Sequence, residues 1–274
     1  MEMILIIGLL ITGLAVGLAA GLLGVGGCFI MIPVQFWALT HMGIDPTIAI
    51  RIAFGTNLAV VLPTAISGAY GHNKKGAVLW KQATYLGLFG LCGAIVGAYI
   101  ASNLPGDILK AAFGLVILLG AVRMLTAKPP HIGEEITESP ILYAIAGICL
   151  GLVSGIIGIG GGVVMIPIMV MGLKFRMHQA VGTSTAVMAL IAIGGILSYM
   201  YYGWNVEGLP AYSMGYVNLL QFGLLASTSV PMAYVGSKIA HKLSHKSLMN
   251  IFIVVMLYMG LKMIGVYSWL GLPL

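Results

Sequence analysis

The sequence predicts an all-α integral membrane protein built as two inverted-topology repeats, with about 8–10 membrane segments that include glycine-broken or re-entrant half-helices. Three observations predict it. Of 274 residues, 60% are apolar and 7% charged, whereas a soluble domain carries roughly 25% charged residues to keep its surface in water. The apolar residues gather into blocks of about 20 or more, the length that carries a helix across ~30 Å of hydrocarbon. A stretch near the N-terminus also returns, in the same order of residues, in the second half of the chain.

Taken in order, apolar runs between polar punctuation give segments at 3–23, 28–40, 49–71, 82–102 and 108–126, then 140–157, 162–173, 179–202, 213–236 and 248–270. The first is expected to be a mature helix rather than a cleavable signal, because Met1-Glu2-Met3 lacks a basic lead and the apolar run continues past Leu23. The stretches 28–40 and 162–173 are too short to cross alone, at roughly 20 Å as helix. Each follows a glycine cluster, Gly24-Val25-Gly26-Gly27 or Gly158-Ile159-Gly160-Gly161-Gly162, where the backbone leaves helical geometry cheaply. Residues 127–139 (AKPPHIGEEITES) are the most polar stretch and form a cytoplasmic linker between an N-terminal repeat, 1–126, and a C-terminal one, 140–274.

The repeat rests on GLAVGLAAGLLGVGGCFIMIP (13–33) over GICLGLVSGIIGIGGGVVMIP (147–167), followed by GTNLAV (55–60) over GTSTAV (182–187). A weaker match places GAYIASNL (97–104) over GSKIAHKL (236–243). Charge sets orientation, since Lys and Arg in short loops mark the cytoplasmic side. Lys74, Lys75 and Lys81 place that loop inside, while its counterpart around Gly203–Pro210 has only Glu207 and belongs outside; Lys238, Lys242 and Lys246 reverse the side again relative to Asn103–Asp107. With Arg123, Lys128, Lys174 and Arg176 inside, one path fits all of these, with both termini extracytoplasmic. Inverted repeats of this kind are typical of secondary transporters with a midplane site between the repeats.

The glycine clusters are the first candidate site. A helix broken at membrane depth is tolerated where its freed backbone lines a cavity or binds a solute, and the N-terminus of the following helix favours an anion. Gly24, Gly26, Gly27 and Cys28, with Gly158, Gly160, Gly161 and Gly162, are therefore candidate substrate-binding residues. Thr56 and Asn57 of GTN, and Thr183 and Ser184 of GTS, join them as polar groups placed well inside apolar spans, where each must find a partner. The competing reading of these four is an interhelical hydrogen bond. One turn or so before each motif stands Arg51 or His178, a candidate gate or anion-attracting group at opposite mouths; snorkelling to the headgroups is the alternative for Arg51. Gln35, Ser67 and Gln221 are weaker polar candidates. Gly13/Gly17/Gly21 and Gly147/Gly151/Gly155 have the fourfold spacing of close helix packing. Gly93/Gly97 would serve equally to join protomers as a homodimer.

Absences narrow the function. The seven acidic residues fall at termini, loops or span edges, which disfavours a carboxylate-coupled cation antiporter and favours an anionic solute. Sodium or a proton remains open as coupling ion. No HExxH, Walker A or nucleophile–base pattern is present, so no enzyme, cofactor or metal site is expected. The excess of basic residues is explained by topology rather than by nucleic acid, and Cys28, Cys92 and Cys149 lie in apolar stretches without a disulfide framework.

GLLGVGGCFIMIP and GIIGIGGGVVMIP, each followed by GT[NS], together with HQAVGTS, resemble the TauE/SafE sulfite exporter family over essentially the whole chain. The resemblance implies an inner-membrane permease for a small sulfur-containing anion such as sulfite, sulfoacetate or a related organosulfonate, working by alternating access. It also implies a central site at the glycine turns 24–27 and 158–162 with Thr56, Asn57, Thr183 and Ser184. Cys28 departs from the family's GGG, and Arg51 stands where the second repeat has His178. An anion channel, or a carrier for a different small organic anion, is the alternative function.

Overall fold

In hydrocarbon every backbone N–H and C=O must be satisfied within the chain, so apolar runs of this length become helices. The computed structural model describes residues 3–24, 26–126, 139–239 and 245–266. The helices are α1 (Met3–Leu23), α2 (Cys28–His41), α3 (Pro46–Asn73), α4 (Trp80–Asn103), α5 (Gly106–Thr126), α6 (Pro140–Ile157), α7 (Gly162–Pro167), α8 (Met177–Tyr202), α9 (Leu219–Ile239) and α10 (His245–Ile264). Seven of them, α1, α3, α4, α5, α6, α8 and α9, are long and apolar enough to cross a membrane. Their starts follow the local chemistry. Asp45 caps α3 by accepting from Thr47 N and Ile48 N at 2.8 and 3.2 Å, with Pro46 in the first turn. Ser139 and Pro140 do the same for α6.

Two segments depart from expectation. The helix expected over 213–236 begins only at Leu219, because Ser213–Met214 (β1) and Val217–Asn218 (β2) pair antiparallel across a turn in which Gly215 has φ 58°. The half-helix expected over 162–173 is helical for six residues and then widens into a π-helical turn, Ile168–Gly172. Pro167 has no N–H to continue the ladder, which loosens it at that point. The linker 127–139 lies, except for Ser139, outside the described residues, as do both termini and Lys242 of the weaker repeat match.

Helices α3 and α8 run side by side through the centre, buried over most of their length. Around them α1 lies along α9, α6 along α4, and α5 along α10. Two glycine seams set these distances. A Cβ added to Gly17 would fall 2.3 Å from Ser229 O, and one on Gly21 2.1 Å from Ala233 O, so α1 meets the α9 backbone directly. On the other side a Cβ on Gly151 would lie 1.9 Å from Gly90 O, and one on Gly155 2.4 Å from Ala94 O. Lipid chains are as apolar as Leu, so such seams are held by van der Waals contact and weak Cα–H···O bonds rather than by hydrophobic burial. Gly93 and Gly97, considered for a homodimer face, sit in the α4–α6 seam against Ile148 and Leu152 of the same chain.

Candidate functional site

The two breaks have the same backbone. Gly24, Gly26 and Gly27 have φ 67°, 79° and 61°, and Gly158, Gly160 and Gly161 have 64°, 72° and 87°. This left-handed region costs other residues roughly 1–2 kcal/mol each, so the glycines are there for conformation. Gly162 and Cys28 take the first helical position after each break. No positive φ is needed there, which is why a cysteine can occupy it; Cys28 is fully buried in the apolar core.

Each break is seated against the long central helix of the other half. Asn57 on α3 donates through Nδ2 to the carbonyl of Gly158, and the Ser184 hydroxyl on α8 is shared between Val181 O of its own helix at 2.8 Å and the carbonyl of Gly24 at 3.2 Å. The neighbouring threonines reach the same way. Thr56 Oγ1 accepts from Asn218 N at 2.9 Å, just before α9, and Thr183 Oγ1 accepts from Leu79 N at 3.1 Å, just before α4. All four side chains are fully buried. The packing is reciprocal as well: a Cβ on Gly160 would lie 3.0 Å from Val61 of α3, and one on Gly26 3.4 Å from Met188 of α8. The Asn57 Oδ1 has no hydrogen-bond partner among the described residues, nor has Ser154 Oγ, and both are buried.

Between Gly26 of the first break and Val61, which packs on Gly160 of the second, lies a small cavity of about 10 Å³ lined by Ala20, Gly26, Val61, Thr64, Ala65, Gly68, Thr185 and Met188. This is room for about one water. Its hydroxyls, Thr64 and Thr185, were not singled out from sequence. Thr64 shares a 2.8 Å hydrogen bond with Ser229, and Thr185 donates to Gly182 O at 2.7 Å. The available signal was positional: Thr64 stands two turns after Asn57 on the same helix, and Thr185 follows the GTS motif directly.

Arg51 and His178 are not brought together. Arg51 donates to the Tyr216 hydroxyl at 3.0 Å and to the Leu104 carbonyl at 2.9 Å, so its charge ties α3 to the ends of α4 and of the hairpin. Its Nε is buried without a partner among the described residues. His178 is exposed in the first turn of α8. Of the weaker candidates, Ser67 donates to Val230 O at 2.8 Å. Gln221 Oε1 and both amide atoms of Gln35 are buried without partners among the described residues. The described acidic residues, Asp45, Asp107 and Glu207, are all exposed at helix ends or in loops. No group of three metal-ligating side chains occurs among the described residues.

The family model of the sulfite exporter TauE/SafE matches residues 9–263, which takes in both breaks, both GT[NS] motifs and eight of the ten described helices in full. The chain belongs to the TauE/SafE sulfite exporter family. It is similar to a probable membrane transporter protein of Methanocaldococcus jannaschii, 32% identical over 259 residues that cover 93% of this chain and 94% of that one. A probable membrane transporter protein of Haemophilus influenzae is 26% identical, covering 93% and 96%, and YunE of Bacillus subtilis, of the same description, is 26% identical, covering 95% and 98%. No solved structure matches the chain. As a TauE/SafE member with seven apolar helices of spanning length among the described residues, the chain is a multi-pass membrane transporter and not an enzyme.

Proposed function

We propose that this TauE/SafE member is a permease for a small sulfur-containing anion, bound between the two glycine breaks and moved by opposed rearrangement of two inverted repeats. The observation that carries the reading is the crossed hold of the breaks, Asn57 on Gly158 and Ser184 on Gly24. Release of one hold frees one break while the other stays seated. That is the asymmetry alternating access requires. The cavity between them is then the closed form of the site, with Gly26, Thr64 and Thr185 already on its wall. Gly24, Gly27, Cys28, Gly158, Gly160, Gly161 and Gly162 shape it, and Thr56, Asn57, Thr183 and Ser184 hold it.

The orientation drawn from charge supports the inversion. Loops assigned to one side meet in the fold: Lys75 donates to the carbonyls of Ser237 and Lys238, and Arg51 bridges Tyr216 and Leu104 at the other end. Arg51 and His178 stand at opposite ends of the path as anion-attracting groups, and sodium or a proton is the coupling ion. The family's name and the absence of a described carboxylate from the interior favour an anion.

A thermal-shift screen of the purified protein with sulfite, sulfate, thiosulfate, sulfoacetate, taurine and simple carboxylates tests the substrate class. A ligand at 100 times its Kd stabilises by ~2.7 kcal/mol. Stabilisation by a sulfur anion, followed by saturable counterflow of the same anion in proteoliposomes, is the expected result. Flat responses from a folded sample, or carboxylates acting alone, would remove sulfur anions as the substrate.

A further inference from the structure

At 14 residues, α2 is roughly 21 Å long and falls short of the hydrocarbon thickness. Beside its C-terminal half, the start of α5 and the end of α10 leave a groove of about 620 Å³, separate from the cavity between the breaks. Its wall is layered. Pro33 and Val34 of α2 and Met259 of α10 form the deeper, apolar part. Nearer the helix ends come Trp37, 48% exposed, and two lysines, Lys110 of α5 and Lys262 of α10.

The lysines are held toward the groove by their surroundings. Lys110 Nζ lies 5.6 Å from the centre of the Phe36 ring and 2.7 Å from Asp107 Oδ1, with its side chain 23% exposed against 92% for Asp107. Lys262 Nζ lies 5.9 Å from the Tyr258 ring centre and has no carboxylate partner among the described residues. Among the described residues that line the groove, two ammonium groups against one carboxylate leave a single positive charge at the level of the helix ends, above an apolar wall far larger than an inorganic anion needs.

We infer that this groove binds an anionic phospholipid, its phosphodiester between Lys110 and Lys262 and one acyl chain along Pro33, Val34 and Met259. The lone excess charge matches a headgroup of charge −1. A lysine near the membrane surface contributes enough to give about a fivefold preference over a zwitterionic lipid.

The test uses the full chain in nanodiscs with Trp37 as its only tryptophan (Trp80→Phe, Trp204→Phe, Trp269→Phe). Brominated phosphatidylglycerol, a contact quencher, is compared with brominated phosphatidylcholine at equal mole fraction. The expected result is a severalfold lower half-quenching fraction for phosphatidylglycerol, lost in Lys110→Gln/Lys262→Gln and restored by Lys110→Arg/Lys262→Arg. The glutamine variant should keep its melting temperature, and Lys74→Gln/Lys238→Gln at the opposite helix ends should keep the preference. Equal quenching by the two lipids overturns the inference, as does a preference that survives the glutamine variant. Millimolar inorganic phosphate should leave the preference intact; its loss would assign the groove to a soluble anion and overturn the lipid.

Discussion

At the residue scale the fold separates positions that look alike in the sequence. Gly27 and Cys28 are neighbours in the same motif, yet Gly27 has φ 61° and a Cβ there would lie 2.6 Å from Val16 Cγ1, whereas Cys28 opens a helix. Gly27→Ala is therefore expected to destabilise by about 2 kcal/mol or more, from strain and crowding together. Cys28→Ala should stay within about 1 kcal/mol, since the buried thiol acts as a small apolar filler. Thermal unfolding in detergent compares them, and an equal loss in both would contradict the assignment of strain to Gly27. Thr56→Val and Thr183→Val remove the acceptors of Asn218 N and Leu79 N. Each should cost about 1–3 kcal/mol by leaving a buried donor unpaired, and each should weaken substrate binding by loosening the site. Unchanged stability in both would mean that the two threonine bonds contribute nothing. Gln35 runs the other way. Gln35→Leu relieves a buried amide with no described partner and should raise the melting temperature, while its effect on flux reports whether the amide serves transport.

At the element scale the seams between α1 and α9 and between α4 and α6 rest on missing side chains. Gly151→Ala would drive a methyl to 1.9 Å from the Gly90 carbonyl, so the two helices must move apart along the seam. A loss of several kcal/mol is expected, of the order of severe overpacking. Gly8, on the same α1 as the seam glycines, has nothing within 4 Å of an added Cβ, and Gly8→Ala should be neutral or stabilising by about 0.5–1 kcal/mol. Denaturant titration of the two variants separates packing from helix propensity. Fourfold glycine spacing marked these faces in the sequence, but not the partner of each. Gly93/Gly97 read equally as a dimer face until their contact with α6 was seen. The hairpin before α9 was hidden for a related reason: Ser213–Asn218 is too short to show a strand period, and the apolar residues around it extended the apparent helix.

At the scale of the whole molecule, α3 and α8 are a central pair, each carrying the polar residues that seat the other half's break. If the halves exchange roles in transport, Val61 and Met188, which face opposite breaks, become accessible alternately. In a cysteine-free background, Val61→Cys and Met188→Cys are expected to react with an impermeant maleimide from opposite sides of the membrane, with substrate shifting the two rates in opposite directions. Labelling of both from both sides at once would indicate a channel.

The all-helical membrane class, the extents of most helices and the family were legible in the sequence. Hydropathy, chain length and a glycine motif that must take positive φ are local properties, and local properties survive in one dimension. The residues proposed from the sequence stand out for the same reason, being polar or glycine in apolar surroundings, while Thr64 and Thr185 of the cavity do not. The partners of these residues were not legible. That Asn57 reaches Gly158 and Ser184 reaches Gly24, that Arg51 is tied to Tyr216 and Leu104, and that Thr64 and Thr185 face one cavity depends on contacts between residues 53 to 165 apart in the chain. Only the packing of the helices decides which of many compatible polar groups each buried donor meets, because hydrogen bonding in a low dielectric demands a partner without specifying its place in the sequence.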